Sequence, residues 1–192
     1  MAAIAIIFVF AFAENIVLHH AAGFPLFLTG TARPPTNVLL ILCITLAISG
    51  FAGWAIAQVF SVILHMEYIS TTLWVMIAWI VPALARRFAK AFNAFDEKQL
   101  RNFMVPQIAL MYLLSAWNLD GVFAFLASVG SAAGFFVLSK LYAAIMQRLM
   151  YENIPKRIRG LPLAFFVMGT LSMACLLIEV VFGQSIWNVL NA

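Results

Sequence analysis

The residues that could do chemistry in this chain are few, and they concentrate in AFAENIVLHHAAGFPLF, residues 11–27. Glu14 and Asn15 fall where a helix beginning near Ala2 reaches the centre of a bilayer. A carboxylate at that depth costs about 2.5–3.5 kcal/mol on insertion scales, so it calls for a partner or a function. Glu14 can handle an ion or a proton; the alternative is a structural hydrogen bond to backbone freed by the break expected at Gly23-Phe24-Pro25. His19 and His20 could bind a metal or haem. Neighbouring side chains on a helix diverge by about 100°, however, so at most one of them faces inward. Lys140 either snorkels toward the cytoplasmic face or reaches Glu14 across the bundle. Cys43 and Cys175 form no CxxC and no zinc spacing, and each fits a small buried apolar role; no metal ligand set is expected. The sequence has no catalytic triad, paired carboxylates or phosphate-cradling Gly loop, so no active site is expected in this chain alone.

These side chains need a membrane scaffold to position them. Of 192 residues, 65% are hydrophobic and only 9% charged, and the mean hydropathy is +1.04. A water-soluble domain would carry about 25% charged residues. The expectation is an all-α integral membrane protein with one transmembrane domain over residues 1–192. MAAIAIIFVFAFA has no basic residue before its apolar run, so it reads as a first span and not as a cleaved signal.

The hydropathy predicts six spans, at about 2–28, 37–64, 68–88, 103–117, 122–149 and 161–187. The first is broken by Gly23-Phe24-Pro25; the alternative is one span ending at Leu18, followed by a short interfacial loop. The fourth is short and contains Pro106. Every Lys and Arg except Lys140 falls in the last turn of span three or five or in the loop after span one, three or five. Those loops therefore belong in the cytoplasm, with both termini outside. Trp117 and Trp187 are placed like interface anchors.

The order of a shortened span followed by two long ones occurs twice, over about 1–100 and about 101–192. With three spans in each half, the second half enters from the opposite side. Interrupted segments at corresponding places in inverted halves point to a central site between them. The fold expected is therefore two inverted three-helix repeats with broken or half-helices in spans one and four.

Further residues carry a resemblance. Gly134-Phe135, Leu141-Tyr142-Ala143-Ala144-Ile145, Arg148-Leu149, Ile154-Pro155, Arg159-Gly160 and Gly169-Thr170-Leu171-Ser172-Met173-Ala174 resemble the small membrane subunits of the Rnf/Nqr family, more its A/E type than the inverted partner. The likeness runs from about 106 to 174, resumes at Glu14-Asn15 with Gly23, and is weaker between 36 and 101. It implies membership of a complex that couples electron transfer to Na+ or H+ movement in a prokaryotic cytoplasmic (inner) membrane. The partners it implies are redox subunits carrying flavin and iron-sulfur groups, together with an inverted homologous subunit.

In that family each half-helix presents a cysteine, and two subunits pool four around a [2Fe-2S] centre. By the resemblance those positions are Pro25 and Tyr112 here, and neither supplies the thiolate such clusters need. The expectation is a member that keeps the scaffold and binds no cofactor by itself. The half-helix site implied comprises Glu14, Asn15, Gly23, Pro25, Pro106, Tyr112 and Lys140. Two other classes remain: the substrate-binding membrane component of a modular vitamin or metal importer, which would need a pocket with convergent polar groups, and a structural membrane partner that transports nothing.

Overall fold

A computed structural model describes residues 2–22, 36–60, 67–88, 97–155 and 157–190. Among them every regular element is helical. The chain begins with α1 (Ala2–Phe8), which runs without a gap into a π-helical turn, Val9–Ala13. Then follow α2 (Thr36–Gln58), α3 (Glu67–Phe88), α4 (Glu97–Ala116), α5 (Gly121–Met150) and α6 (Leu161–Leu190).

The length of the apolar stretch sorts these helices into two kinds. α2, α3, α5 and α6 each contain an apolar stretch of at least 18 residues, enough to cross a membrane. The apolar parts of the first and fourth segments, Ala3–Ala13 and Asn102–Ala116, are shorter. Seven residues of α-helix and five of π-helix reach roughly 18 Å at about 1.5 Å each, little more than half of a ~30 Å hydrocarbon core. The first helix is therefore too short to cross such a core. The fourth departs from expectation in one respect: Pro106 is buried inside a continuous α4 and does not interrupt it.

α2 and α5 form the centre. About half of each apolar stretch is buried, 44% for α2 and 50% for α5, against 22% for both α3 and α6. The outer helices show large apolar side chains to the surroundings, such as Trp79 and Phe166, as a bilayer-facing surface requires. The two short segments are held by the central pair in a crossed manner. α2 meets α4 through Gly50 and Gly53: a Cβ at Gly50 would lie 2.5 Å from Leu110 Cδ2, and one at Gly53 would overlap Met111. α5 meets the first segment through Gly130 and Gly134, where a Cβ would run into the backbone of Ile7 and of Ala11. Small residues at these four positions let helix backbones approach closely. Ser128 on α5 also donates to the Ala47 carbonyl of α2 at 2.6 Å.

Trp117, expected as an interface anchor, lies against the first segment. Its ring packs edge-on against Phe10 of the first segment, with centroids 5.3 Å apart. Trp187 has no described side chain.

Candidate intramembrane polar site

The first helix stops because of Asn15, ahead of the break expected from Gly and Pro. Asn15 is 3% exposed, and its amide takes over backbone hydrogen bonds on both sides of the break. Nδ2 donates to the Ala11 carbonyl at 2.8 Å, replacing a bond that a continuing helix would have made. Oδ1 accepts the N–H groups of Val17 at 3.0 Å and Leu18 at 3.3 Å, as a cap at the start of a new turn does. The preceding π turn is closed by the Glu14 N–H donating to the Val9 carbonyl at 2.8 Å. Residues 16–20 then form turns, and Ala21 lies in the left-handed region at φ 52°. Gly23 and Pro25, with the break expected there, lie outside the described residues.

This irregular segment brings together three ionisable groups that a straight helix would separate. His20 Nε2–H donates to Glu14 Oε2 at 3.3 Å, and His19 Nδ1 lies 4.0 Å from the same oxygen. The His19 Nδ1–H donates to the Ala13 carbonyl at 3.2 Å, since a carbonyl can only accept. The two imidazoles stack with centroids 4.9 Å apart. The expected 100° divergence is corrected for this reason: the helix has already ended at Ala13, so helical geometry no longer separates them. The Glu14 side chain is 18% exposed, between the more open rings and the protein. A carboxylate hydrogen-bonded to one imidazole and 4.0 Å from a second is a pairing of groups that can exchange a proton.

Beside the group lies a cavity of about 130 Å³, lined by Phe12, Ala13, Leu18, His19, Ser172 and Cys175. Ser172 on α6 donates to the Leu18 carbonyl at 3.3 Å and so ties the irregular segment to the last helix. The cavity is smaller than the roughly 300–1,000 Å³ that small-molecule sites occupy. Among the described residues, no group of three or more His, Cys, Asp or Glu side chains is arranged to hold a metal.

The other expected site residues lie apart from this cluster. Lys140 Nζ donates to Thr36 Oγ1 at 2.8 Å and sits 5.8 Å from the centre of the Phe136 ring. Those contacts tie it to the start of α2, and Glu14 is not among its partners. Tyr112 is 63% exposed on α4, edge-on to Trp74 of α3, whose indole N–H donates to the Gly53 carbonyl at 3.1 Å. A phenol at this position offers no thiolate to the [2Fe-2S] centre that the resemblance implies. Cys43 is buried in α2 and Cys175 is half-buried in α6. The sequence reading passed over Gln107 and Ser131, which are 0% and 1% exposed. The signal for Gln107 was available: an amide one residue after Pro106, within an apolar run.

No family model matches the chain. It is similar to curated membrane subunits at low identity. One is the E-type subunit of the Na+-translocating NADH-quinone reductase of Chlamydia caviae, 25% identical over 185 residues, covering 85% of this chain and 69% of the relative. The corresponding protein of Chlamydia trachomatis serovar D is 24% identical over 194 residues, with 85% and 75% covered. The A-type subunit of the proton-translocating ferredoxin:NAD+ oxidoreductase complex of Clostridium ljungdahlii is 24% identical over 171 residues, with 85% and 89% covered.

Proposed function

Because the chain is a low-identity homologue of the A/E-type membrane subunits of the Rnf/Nqr family, we propose that it is a membrane subunit of an electron-transport complex that couples redox chemistry to Na+ or H+ translocation. Its partners in this reading are redox subunits bearing flavin and iron-sulfur groups, together with an inverted homologous membrane subunit. The observation that carries the reading is the early end of the first helix at Asn15, with Glu14, His19 and His20 gathered at the break. Broken helices at the midplane are how many transporters build an ion site.

The crossed packing supports two inverted three-helix halves. The second helix of each half, α2 or α5, presents a pair of glycines to the short first helix of the other half. The alternation of basic loops supports a cytoplasmic membrane location with both termini outside. Glu14 and the two histidines are the proton- or ion-handling group, and Tyr112 belongs to the face that meets the inverted partner. This chain contributes wall and ion path, and redox centres reside on its partners.

Affinity capture of the tagged chain from native membranes in mild detergent tests the assembly. It should recover proteins with flavin and iron and a second, homologous membrane subunit. A chain that purifies alone, in every detergent that keeps it folded, overturns the reading. Glu14→Gln then tests the site. It keeps size and hydrogen bonding but removes the charge, so ion-coupled activity should fall while assembly stays normal. Failed assembly would assign Glu14 a structural role instead, and unchanged behaviour of both Glu14→Gln and Glu14→Ala would remove it from the mechanism.

A further inference from the structure

Gln107 and Ser131 stand out among the buried polar side chains. Both amide atoms of Gln107 and the hydroxyl of Ser131 are buried with no hydrogen-bond partner, although Thr45, Ser49 and Ser128 each donate to a backbone carbonyl. Polar groups inside a folded protein, and above all inside a membrane, are hydrogen-bonded; an orphan asks for an explanation.

Their placement gives one. α4 and α5 are joined by only Trp117 to Asp120 and so run antiparallel. The Phe103 and Phe135 rings meet at 6.3 Å between centroids. Leu110 and Ser128 both lie within 3.3 Å of the position a Cβ on Gly50 would take. Gln107 lies between Phe103 and Leu110 on α4, and Ser131 lies between Ser128 and Phe135 on α5. The ring contact on one side, and the shared approach of Leu110 and Ser128 to Gly50 of α2 on the other, thus bracket the two residues at one level.

We propose that Gln107 and Ser131 form a binding site for an internal water molecule between α4 and the central helix α5. The donor set favours a neutral ligand. A water donates two hydrogen bonds and accepts two, and buried waters make about three; the amide N–H, the amide oxygen and the serine hydroxyl supply three matching partners. A dehydrated cation would find two side-chain oxygens where hard cations gather about six. It would also face the positive end of the amide N–H group. The site is independent of the Glu14 cluster and of the function proposed above.

Radiolytic hydroxyl labelling of the purified full-length chain in detergent tests it, because a trapped water generates radicals beside side chains that bulk solvent cannot reach. Met111 and Phe103, both 0% exposed, flank Gln107 and are the reporters; Phe10 and Met168, also buried, are the comparators. Labelling of Met111 or Phe103 several-fold above the comparators is expected, and so is its loss in Gln107→Leu and in the milder Ser131→Ala. Labelling no higher than the comparators, or unchanged in Ser131→Ala, overturns the proposal. A rise in thermal stability in NaCl over choline chloride that Ser131→Ala abolishes also overturns it, in favour of a cation. The wild-type comparison stands even where Gln107→Leu fails to fold.

Discussion

Gly134 lies so close beneath Ala11 that a Cβ on the glycine would overlap the Ala11 carbonyl oxygen. The same oxygen accepts the Asn15 side-chain amide at 2.8 Å. The groove that seats the first helix and the residue that ends it therefore converge on one backbone group. A helix that stops inside the membrane leaves carbonyls without partners, and here the side chain and the close approach are fitted to each other.

Gly134→Ala should accordingly destabilise the chain more than Gly50→Ala. The first meets backbone, which cannot yield, whereas the second meets mainly the end of the Leu110 side chain. Overpacking of this kind costs about 1–3 kcal/mol. Gly169→Ala, with nothing within 4 Å of the added carbon, serves as the neutral control. Thermal unfolding in detergent should give the order Gly134→Ala, Gly50→Ala, Gly169→Ala from largest loss to none; a Gly134→Ala protein as stable as the control would show that the close approach is not required.

Asn15→Ala should lower stability by about 1–3 kcal/mol, since it leaves a buried carbonyl and two N–H groups without their side-chain partners. Asn15→Asp retains the acceptor for Val17 and Leu18 but sets a carboxylate oxygen against the Ala11 carbonyl. It should not rescue the loss. Full stability of Asn15→Asp would mean that the cap alone matters and the bond to Ala11 does not.

Much of this arrangement is legible in the residues. The short first and fourth helices follow from hydropathy, and the closeness of α2 to its neighbours follows from Gly50 and Gly53. The position of the break does not. Gly23 and Pro25 look like the helix breakers, but an Asn side chain can replace backbone bonds on both sides, and nothing in the amino-acid order shows that Asn15 will do so. Once the helix ends at Ala13, the divergence of His19 and His20 fails with it, and both rings come to Glu14. Gln107 is visible as an amide within an apolar run, but its level with Ser131 depends on how α4 and α5 pair, which is a tertiary fact.

Topology gives a prediction that rests on charge alone. In a background lacking Cys43 and Cys175, a single cysteine replacing Asp120 should react with an impermeant reagent added outside intact cells, and one replacing Asn153 should react only after permeabilisation. Both positions are exposed, so access to the side chain does not limit either result. Asp120 lies in a connection without Lys or Arg, and Asn153 lies beside Arg148, Lys156, Arg157 and Arg159. The reverse pattern would invert the molecule in the membrane.

The final prediction concerns what this chain lacks. Expressed and purified without partners, it should carry no stoichiometric iron or labile sulfide. Cluster ligation needs thiolates converging on one centre. The chain has two cysteines: Cys43 is buried in α2, and Cys175 sits in α6 beside the cavity at His19. The α4 position where the resembled family places a cysteine holds Tyr112, whose ring is engaged edge-on with Trp74. Cys43→Ser and Cys175→Ser should therefore leave iron in the purified native complex unchanged. Loss of iron from the complex in either variant would make that cysteine a ligand and would return the redox centre to this chain.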